Sequence, residues 1–217
     1  MVPAIISIYL KALGFAPSSV LPLLSIKAVI MTTAILANSL GWNCTNPKSI
    51  QRAALDILAG DKANPETDTK KFELPTLPFG GLEQLAWSPD GKYIAYSCRK
   101  LAGRDYAFST NTDIYLYNVE TGATQNLTAG MMGYDTDPLF SPDGTQLAFV
   151  SMERDGYEAD KRRLFVIDMN KALANLDAKD FRGYMKELTT DYKYNVESIT
   201  WAPKGDKIYF NSCVNAL

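Results

Sequence analysis

The 217-residue chain contains no histidine. Ser-His-Asp and Cys-His constellations need an imidazole that takes up and returns a proton near neutral pH, so neither can be assembled within these residues. Zinc sites that use histidine fall with them. The three cysteines, Cys44, Cys98 and Cys213, lie far apart without metal-ligand spacing, and their odd number leaves no complete disulfide framework. A Gly-x-Ser-x-Gly elbow, which would expose a serine nucleophile, is missing. So is any Gly-rich phosphate loop. No catalytic residue, no metal site and no cofactor are therefore expected in this chain. Lys and Arg number 22 against 24 Asp and Glu, a net charge of −2, which leaves no electrostatic footprint for nucleic acid.

Acidic residues are absent from residues 1–49, where only Lys11, Lys27 and Lys48 carry charge. The uncharged stretch 28–47 has the length of a membrane span but contains Thr32, Thr33, Asn38, Ser39, Asn43, Thr45 and Asn46, too polar a set for one. Its first half fits an export signal: Lys27 as basic flank, 28–37 as apolar core, Ala37-Asn38-Ser39 as a loose cleavage site. The apolar run ahead of Lys27 has no place in such a signal. A start that is not the natural one, and a folded or membrane-contacting segment over residues 1–47, therefore stay open beside it. Lipid attachment at Cys44 is disfavoured by Asn43, which stands where a small residue is wanted. The expected organisation is an apolar, partly helical segment over 1–49, a linker over 50–80 and a β domain over 81–217.

What is there is a repeat. Residues 85–97 read LAWSPDGKYIAYS, 139–151 read LFSPDGTQLAFVS and 199–212 read ITWAPKGDKIYFNS. Each is an aromatic residue, a tight turn and an apolar strand. In Ser88-Pro89-Asp90-Gly91 the proline supplies the fixed φ of the second turn position. Serine can bond back to the turn, and glycine accepts positive φ at its exit. Residues 141–144 repeat this turn residue for residue, whereas Ala202-Pro203-Lys204-Gly205 keeps only the two residues the backbone requires. The strand from Tyr93 to Tyr96 is apolar at successive positions, so both of its faces are expected to be buried.

Two of the repeats continue into four strands. Residues 113–118 and 125–128 complete the first, and residues 164–168 and 186–189 the second, with one short helix expected in the insertion 170–181. The turn prolines, at 89, 142 and 203, stand roughly 50–60 residues apart, somewhat beyond a usual propeller blade. The expected fold is all-β: a partial β-propeller of about three four-stranded blades with Pro-Asp-Gly hairpin repeats, the third incomplete. A plain β-sandwich does not repeat its turn sequence in register. Cys98 and Cys213 occupy equivalent places in repeats one and three and are expected to be small buried residues.

Residues 85–100 (LAWSPDGKYIAYSCRK), 109–118 (STNTDIYLYN), 130–138 (GMMGYDTDP), 151–165 (SMERDGYEADKRRLF) and 191–203 (DYKYNVESITWAP) carry a resemblance. The chain resembles the propeller of the prolyl oligopeptidase family of serine peptidases, in its dipeptidyl-peptidase-five-like and acylaminoacyl-peptidase-like branch. The Pro-Asp-Gly turns alone are shared with Tol-type periplasmic propellers; the run 130–165 is the more specific part. The resemblance implies export to the periplasm or beyond, and a propeller that gates and positions peptide for a separate α/β-hydrolase domain. No elbow serine or histidine of such a domain occurs in these 217 residues, so the chain alone is expected to be inactive. A stand-alone TolB-like propeller that binds a protein partner is the alternative.

Strand alternation places the loops 99–112, 129–137, 153–161 and 191–195 on one face, where binding groups tend to collect. A peptidase that measures from a free N-terminus needs carboxylates to pair with the ammonium. Glu153, Asp155 and Glu158 are the candidates, with Tyr134 and Tyr157 as lining. The alternative for the carboxylates is a solvated loop balanced by Arg154, Lys161, Arg162 and Arg163.

Overall fold

In the computed structural model, residues 81–101 and 103–214 are described. The readings placed on residues 1–49 and 50–80, the export segment and Cys44 among them, lie outside the described residues. Two four-stranded antiparallel sheets follow one another along the chain. The first runs in the order β1 (Leu85–Trp87), β2 (Tyr93–Cys98), β3 (Asp113–Asn118), β4 (Thr124–Asn126). The second repeats the order with β5 (Asp135–Phe140), β6 (Gln146–Ser151), β7 (Arg163–Asp168) and β8 (Met185–Glu187). A third hairpin pairs β9 (Glu197–Trp201) with β10 (Ile208–Asn211). Each sheet is a meander, and β5 lies against both β1 and β9. These are consecutive blades of a propeller, with the first strand of each blade beside its neighbours.

The turns explain why the repeat is spelled as it is. Ser88 Oγ donates to Asp90 Oδ1 at 2.6 Å and accepts from the Tyr93 amide at 2.9 Å. Ser141 does the same to Asp143 at 2.6 Å and from Gln146 at 2.9 Å. Gly91, Gly144 and Gly205 sit at φ of 72°, 73° and 71°, a region open to glycine at little steric cost. Blade three loses the serine and aspartate but keeps the backbone bonds, Gly205 N to Ala202 O and Ala202 N to Lys207 O, both 2.8 Å.

The proline and glycine also have a partner in the next blade. A Cβ on Gly144 would lie 3.3 Å from Pro89 Cδ, and one on Gly205 would lie 3.5 Å from Pro142 Cδ. Gly144 and Gly205 therefore each rest on the turn proline of the blade before. Trp201 adds a bond across the same seam, donating through Nε1 to Leu139 O at 3.0 Å.

The core lies between the blades. Leu147 and Phe149 of β6 join Ala95, Ile114, Leu116 and Leu127 of the first blade, while the alternate residues Ala148 and Val150 join Val196 beside the third. The central strand is thus apolar on both faces because a blade stands on each side. Ile94, Ala95 and Tyr96 of β2 are likewise fully buried.

The one short helix expected in the insertion is α2 (Met169–Ala174), which starts where Asp168 caps it by accepting from the Lys171 amide and ends at Asn175. Three details depart from the sequence expectations. An unforeseen helix, α1 (Arg104–Phe108), sits inside the 99–112 loop. Residues 135–137, read as loop, open β5 instead. Cys98 is buried as expected, but Cys213 is exposed, since it follows β10 past the end of its pairing.

The inner strands also share a device that the sequence hides. Asp137 and Ser198 hold positive φ, 56° and 50°, at equivalent places in β5 and β9, and the register slips beside each of them. A β-bulge therefore recurs in blades two and three without a shared residue. Pro138, which has no amide to donate, occupies the bulge of β5.

Candidate functional site

The loops that follow the second strands of the first two blades are tied together by one carboxylate. Asp155 Oδ1 accepts from Ser109 Oγ at 2.7 Å, the Thr110 amide at 2.8 Å and the Asn111 amide at 3.1 Å. The Gly156 amide donates to Thr110 Oγ1 at 2.9 Å. The loop of blade two is thereby latched onto that of blade one. Burial works against the Asp155 anion, but these donors prevail and hold its carboxyl below the ordinary carboxylate range.

Asp160 organises the rest of the same loop from within. It is buried and takes the Glu153, Arg154 and Lys161 amides together with a forked bond from Arg154. The Arg154 guanidinium is the chief reason its carboxyl lies well below the usual range. The same guanidinium covers the Tyr157 ring at 4.0 Å, and Arg104 stands 5.4 Å from the Phe108 ring on the neighbouring loop. Phe108, Met132 and Tyr157 are exposed large side chains, all on this face.

The proposed carboxylates are therefore not equivalent. Asp155 is a latch. Glu153 has a side chain 70% exposed, with Arg163 a distant 3.9 Å away, and Glu158 is exposed. The basic residues do not simply balance them: Lys161 Nζ donates to the carbonyls of Thr189 and Tyr192, and Arg162 bonds Asp137 at 2.8 Å and the Val196 carbonyl at 3.2 Å.

Tyr134 is half-buried, apart from the exposed Tyr157, and bonds the Gln84 side chain. Burial raises its hydroxyl pKa, with the Asp137 charge adding to the rise and Arg162 and Arg99 opposing it. Asp137 is itself raised by burial, against the pull of Arg162, and Glu83 adds to the rise. Tyr134, Asp137, Arg162, Gln84 and Glu83 thus form a polar group at the inner strands, carrying both signs of charge. Sequence reasoning named Tyr134 from this group as lining, and Arg162 only as a charge balancing the loop carboxylates. The signal for the others was the spacing Asp135-x-Asp137-Pro138, whose second aspartate meets Arg162 only through the fold.

Among the described residues there is no cluster of three or more His, Cys, Asp or Glu placed to hold a metal, and no helix long and apolar enough to cross a membrane.

The fold and these inter-blade contacts define a propeller whose long loops form one continuous surface. No family model matches the chain. It is 48% identical over 145 residues to dipeptidyl-peptidase 5 of Porphyromonas gingivalis, covering 67% of this chain and 20% of that protein. With dipeptidyl-peptidase 5 of Porphyromonas endodontalis it shares 56% identity over 96 residues, 44% of this chain and 14% of the relative. A dipeptidyl-peptidase 5 of Aspergillus fumigatus is 26% identical over 166 residues, covering 71% of this chain and 21% of the relative. TolB from Acinetobacter baumannii aligns in structure over 58% of this chain and 25% of its own, with 22% identity and a TM-score of 0.41. The chain spans about a fifth of the length of the curated dipeptidyl-peptidase 5 of P. gingivalis. Over these residues it is a propeller segment of the prolyl oligopeptidase family, in the dipeptidyl-peptidase-5-like branch.

Proposed function

We propose that this propeller segment serves an exported dipeptidyl-type serine peptidase, in which it positions peptide for a hydrolase domain and does no bond chemistry itself. The observation that carries this reading is the 48% identity with a dipeptidyl-peptidase 5 over two thirds of the chain. The latched loop surface supports it, because a rigid platform orders substrate at a smaller entropic cost than independent loops would. Glu153 and Glu158 are the carboxylates placed to meet a peptide ammonium, Tyr157 flanks them at the rim, and Tyr134 lines the inner wall. Asp155 contributes by holding the platform.

The test uses the 217-residue chain and two versions of one short peptide, with a free and an acetylated N-terminus, titrated calorimetrically. The free peptide should bind at least about tenfold tighter, as loss of one charge-assisted bond implies, and Glu153→Gln with Glu158→Gln should remove the difference. A dipeptidyl chromogenic substrate should remain uncleaved. Equal binding of both peptides, or cleavage by the chain, overturns the reading.

A further inference from the structure

We propose that Phe108, Met132 and Tyr157 seat the side chain of a peptide's first residue, so that this propeller segment selects peptides beginning with a bulky apolar residue. The inference rests on the reading of Glu153 and Glu158 as partners of the peptide ammonium. All three side chains are exposed, Phe108 by 71%, Met132 by 55% and Tyr157 by 46%, on loops whose backbone is otherwise tied down. Single exposed apolar residues need no explanation, but several gathered at one place mark a surface that something covers.

The fold gathers them from three loops. Phe108 ends α1 and precedes Ser109, whose hydroxyl bonds Asp155 at 2.7 Å. Across that bond Gly156 holds a φ of 71°, and a Cβ there would lie 3.7 Å from the Phe108 carbonyl oxygen. Tyr157 is the next residue. Met132 comes from the loop after β4, and its neighbour Gly133 packs against the backbone of the third loop. A Cβ on Gly133 would lie 2.9 Å from the Glu153 amide nitrogen. The three apolar side chains therefore border or belong to the one loop, residues 153–160, that carries Glu153 and Glu158.

Both rings are aimed. Buried Asp160 fixes Arg154 in a forked bond, and that guanidinium covers the Tyr157 ring; Arg104 stands by Phe108 in the same way. Each ring thus has an arginine of its own loop beside it and still keeps apolar surface open to solvent. Charge selects the occupant. Residues 153–160 hold four acids against one base, which draws a cationic chain end and repels an acidic one. A second copy of this chain would bring the same acidic loop to the same place, and like charges oppose it. The side chain of a peptide's first residue branches from the carbon that bears the ammonium. Once that ammonium meets Glu158 or Glu153, the side chain comes down beside Tyr157, the residue next to Glu158 in the loop.

The test titrates the 217-residue chain calorimetrically with short peptides that begin with phenylalanine or serine, each with a free or an acetylated N-terminus. Among the free peptides, the phenylalanine version should bind about tenfold tighter, as covering one large side chain on an open surface implies. Phe108→Ala with Tyr157→Ala should bring the two to equal affinity while keeping the preference for a free over an acetylated N-terminus. Both side chains are exposed, so the doubly substituted chain should unfold at the parent's midpoint. Equal binding of the two free peptides by the parent overturns the seat, as does a phenylalanine preference that survives the double substitution. A preference that the double substitution removes, with free and acetylated peptides binding alike, keeps the seat and overturns the ammonium reading instead. Equal binding when the phenylalanine is moved to the third position refutes the assignment to the first residue. Binding of none of the peptides overturns both readings. A parent chain that sediments as a dimer, with the double variant a monomer, gives the surface to a second copy and overturns the proposal.

Discussion

The two faces of this propeller are built on opposite rules. On the hairpin-turn face, Ser88-Pro89-Asp90-Gly91 and Ser141-Pro142-Asp143-Gly144 repeat residue for residue, and their bonds agree to within 0.1 Å. On the loop face the long loops after the second strands do not repeat: one carries α1, the next is organised around buried Asp160, and both are tied by Asp155. A residue that recurs in every blade answers a demand of the backbone or of the neighbouring blade. A residue that occurs once answers a demand of its own place, and that is where binding groups gather.

The sharpest break in this contrast is a loop-face glycine that function does not explain. A Cβ on Gly133 would lie 2.0 Å from the carbonyl oxygen of Met152, a backbone atom that cannot rotate away. Gly133→Ala should therefore cost about 3 kcal/mol or more, measured by urea unfolding, because the Thr112–Gly133 stitch must separate. Gly183→Ala, with nothing within 4 Å, should stay within about 0.5 kcal/mol. Equal effects would mean that the blade joint yields far more easily than its close contacts imply.

Next come the turns. Ser141 is buried, and its hydroxyl serves both Asp143 and the Gln146 amide, so Ser141→Ala should cost about 1–2 kcal/mol. Blade three, which already has Ala202 and Lys204, offers the converse. Ala202→Ser with Lys204→Asp installs the missing bracket and should raise stability by about 0.5–1 kcal/mol in denaturant titrations. A loss at both sites would show that the serine and aspartate of the repeat serve something other than the turn.

The repeat was legible because its chemistry is local. Proline, glycine and a serine within five residues specify a turn whatever surrounds them, and the continuously apolar strands then follow. The bulges were not legible, since Asp137 and Ser198 share a backbone angle and no side-chain chemistry. Helix α1 has five residues, too few to show a period. At the site, exposure of Glu153 and Glu158 was readable from loop composition. The latch role of Asp155, the Arg162–Asp137 pair and the buried Asp135 were not, because each depends on residues more than 20 positions away. Long-range polar pairing leaves no mark in a single sequence.

The latch itself ranks third in expected effect. Asp155→Ala removes an acceptor from three donors on the neighbouring loop, which should cost about 1 kcal/mol and speed amide exchange at Thr110 and Asn111. Because the Asp155 carboxyl is depressed in the folded state, its contribution is present above the unfolded carboxylate range and lost as pH falls through the folded value. The parent chain should show faster exchange at these amides on acidification, after correction for intrinsic rates, and the variant should not. Unchanged exchange in Asp155→Ala would mean that the two loops are held together by something else.

The smallest effect on stability is expected where function is proposed. Glu158 is exposed, so Glu158→Gln should shift unfolding by less than about 0.5 kcal/mol. The same holds for Glu153, whose 3.9 Å approach to Arg163 is too long and too solvated to matter. A carboxylate poised for a ligand ammonium gains its interaction only when the ligand arrives. Removing it should leave the folded chain untouched and weaken binding of the free-amine peptide. If Glu158→Gln instead destabilises the chain as much as Asp155→Ala does, the loop acids form one structural set, and the division between a holding residue and a meeting residue fails.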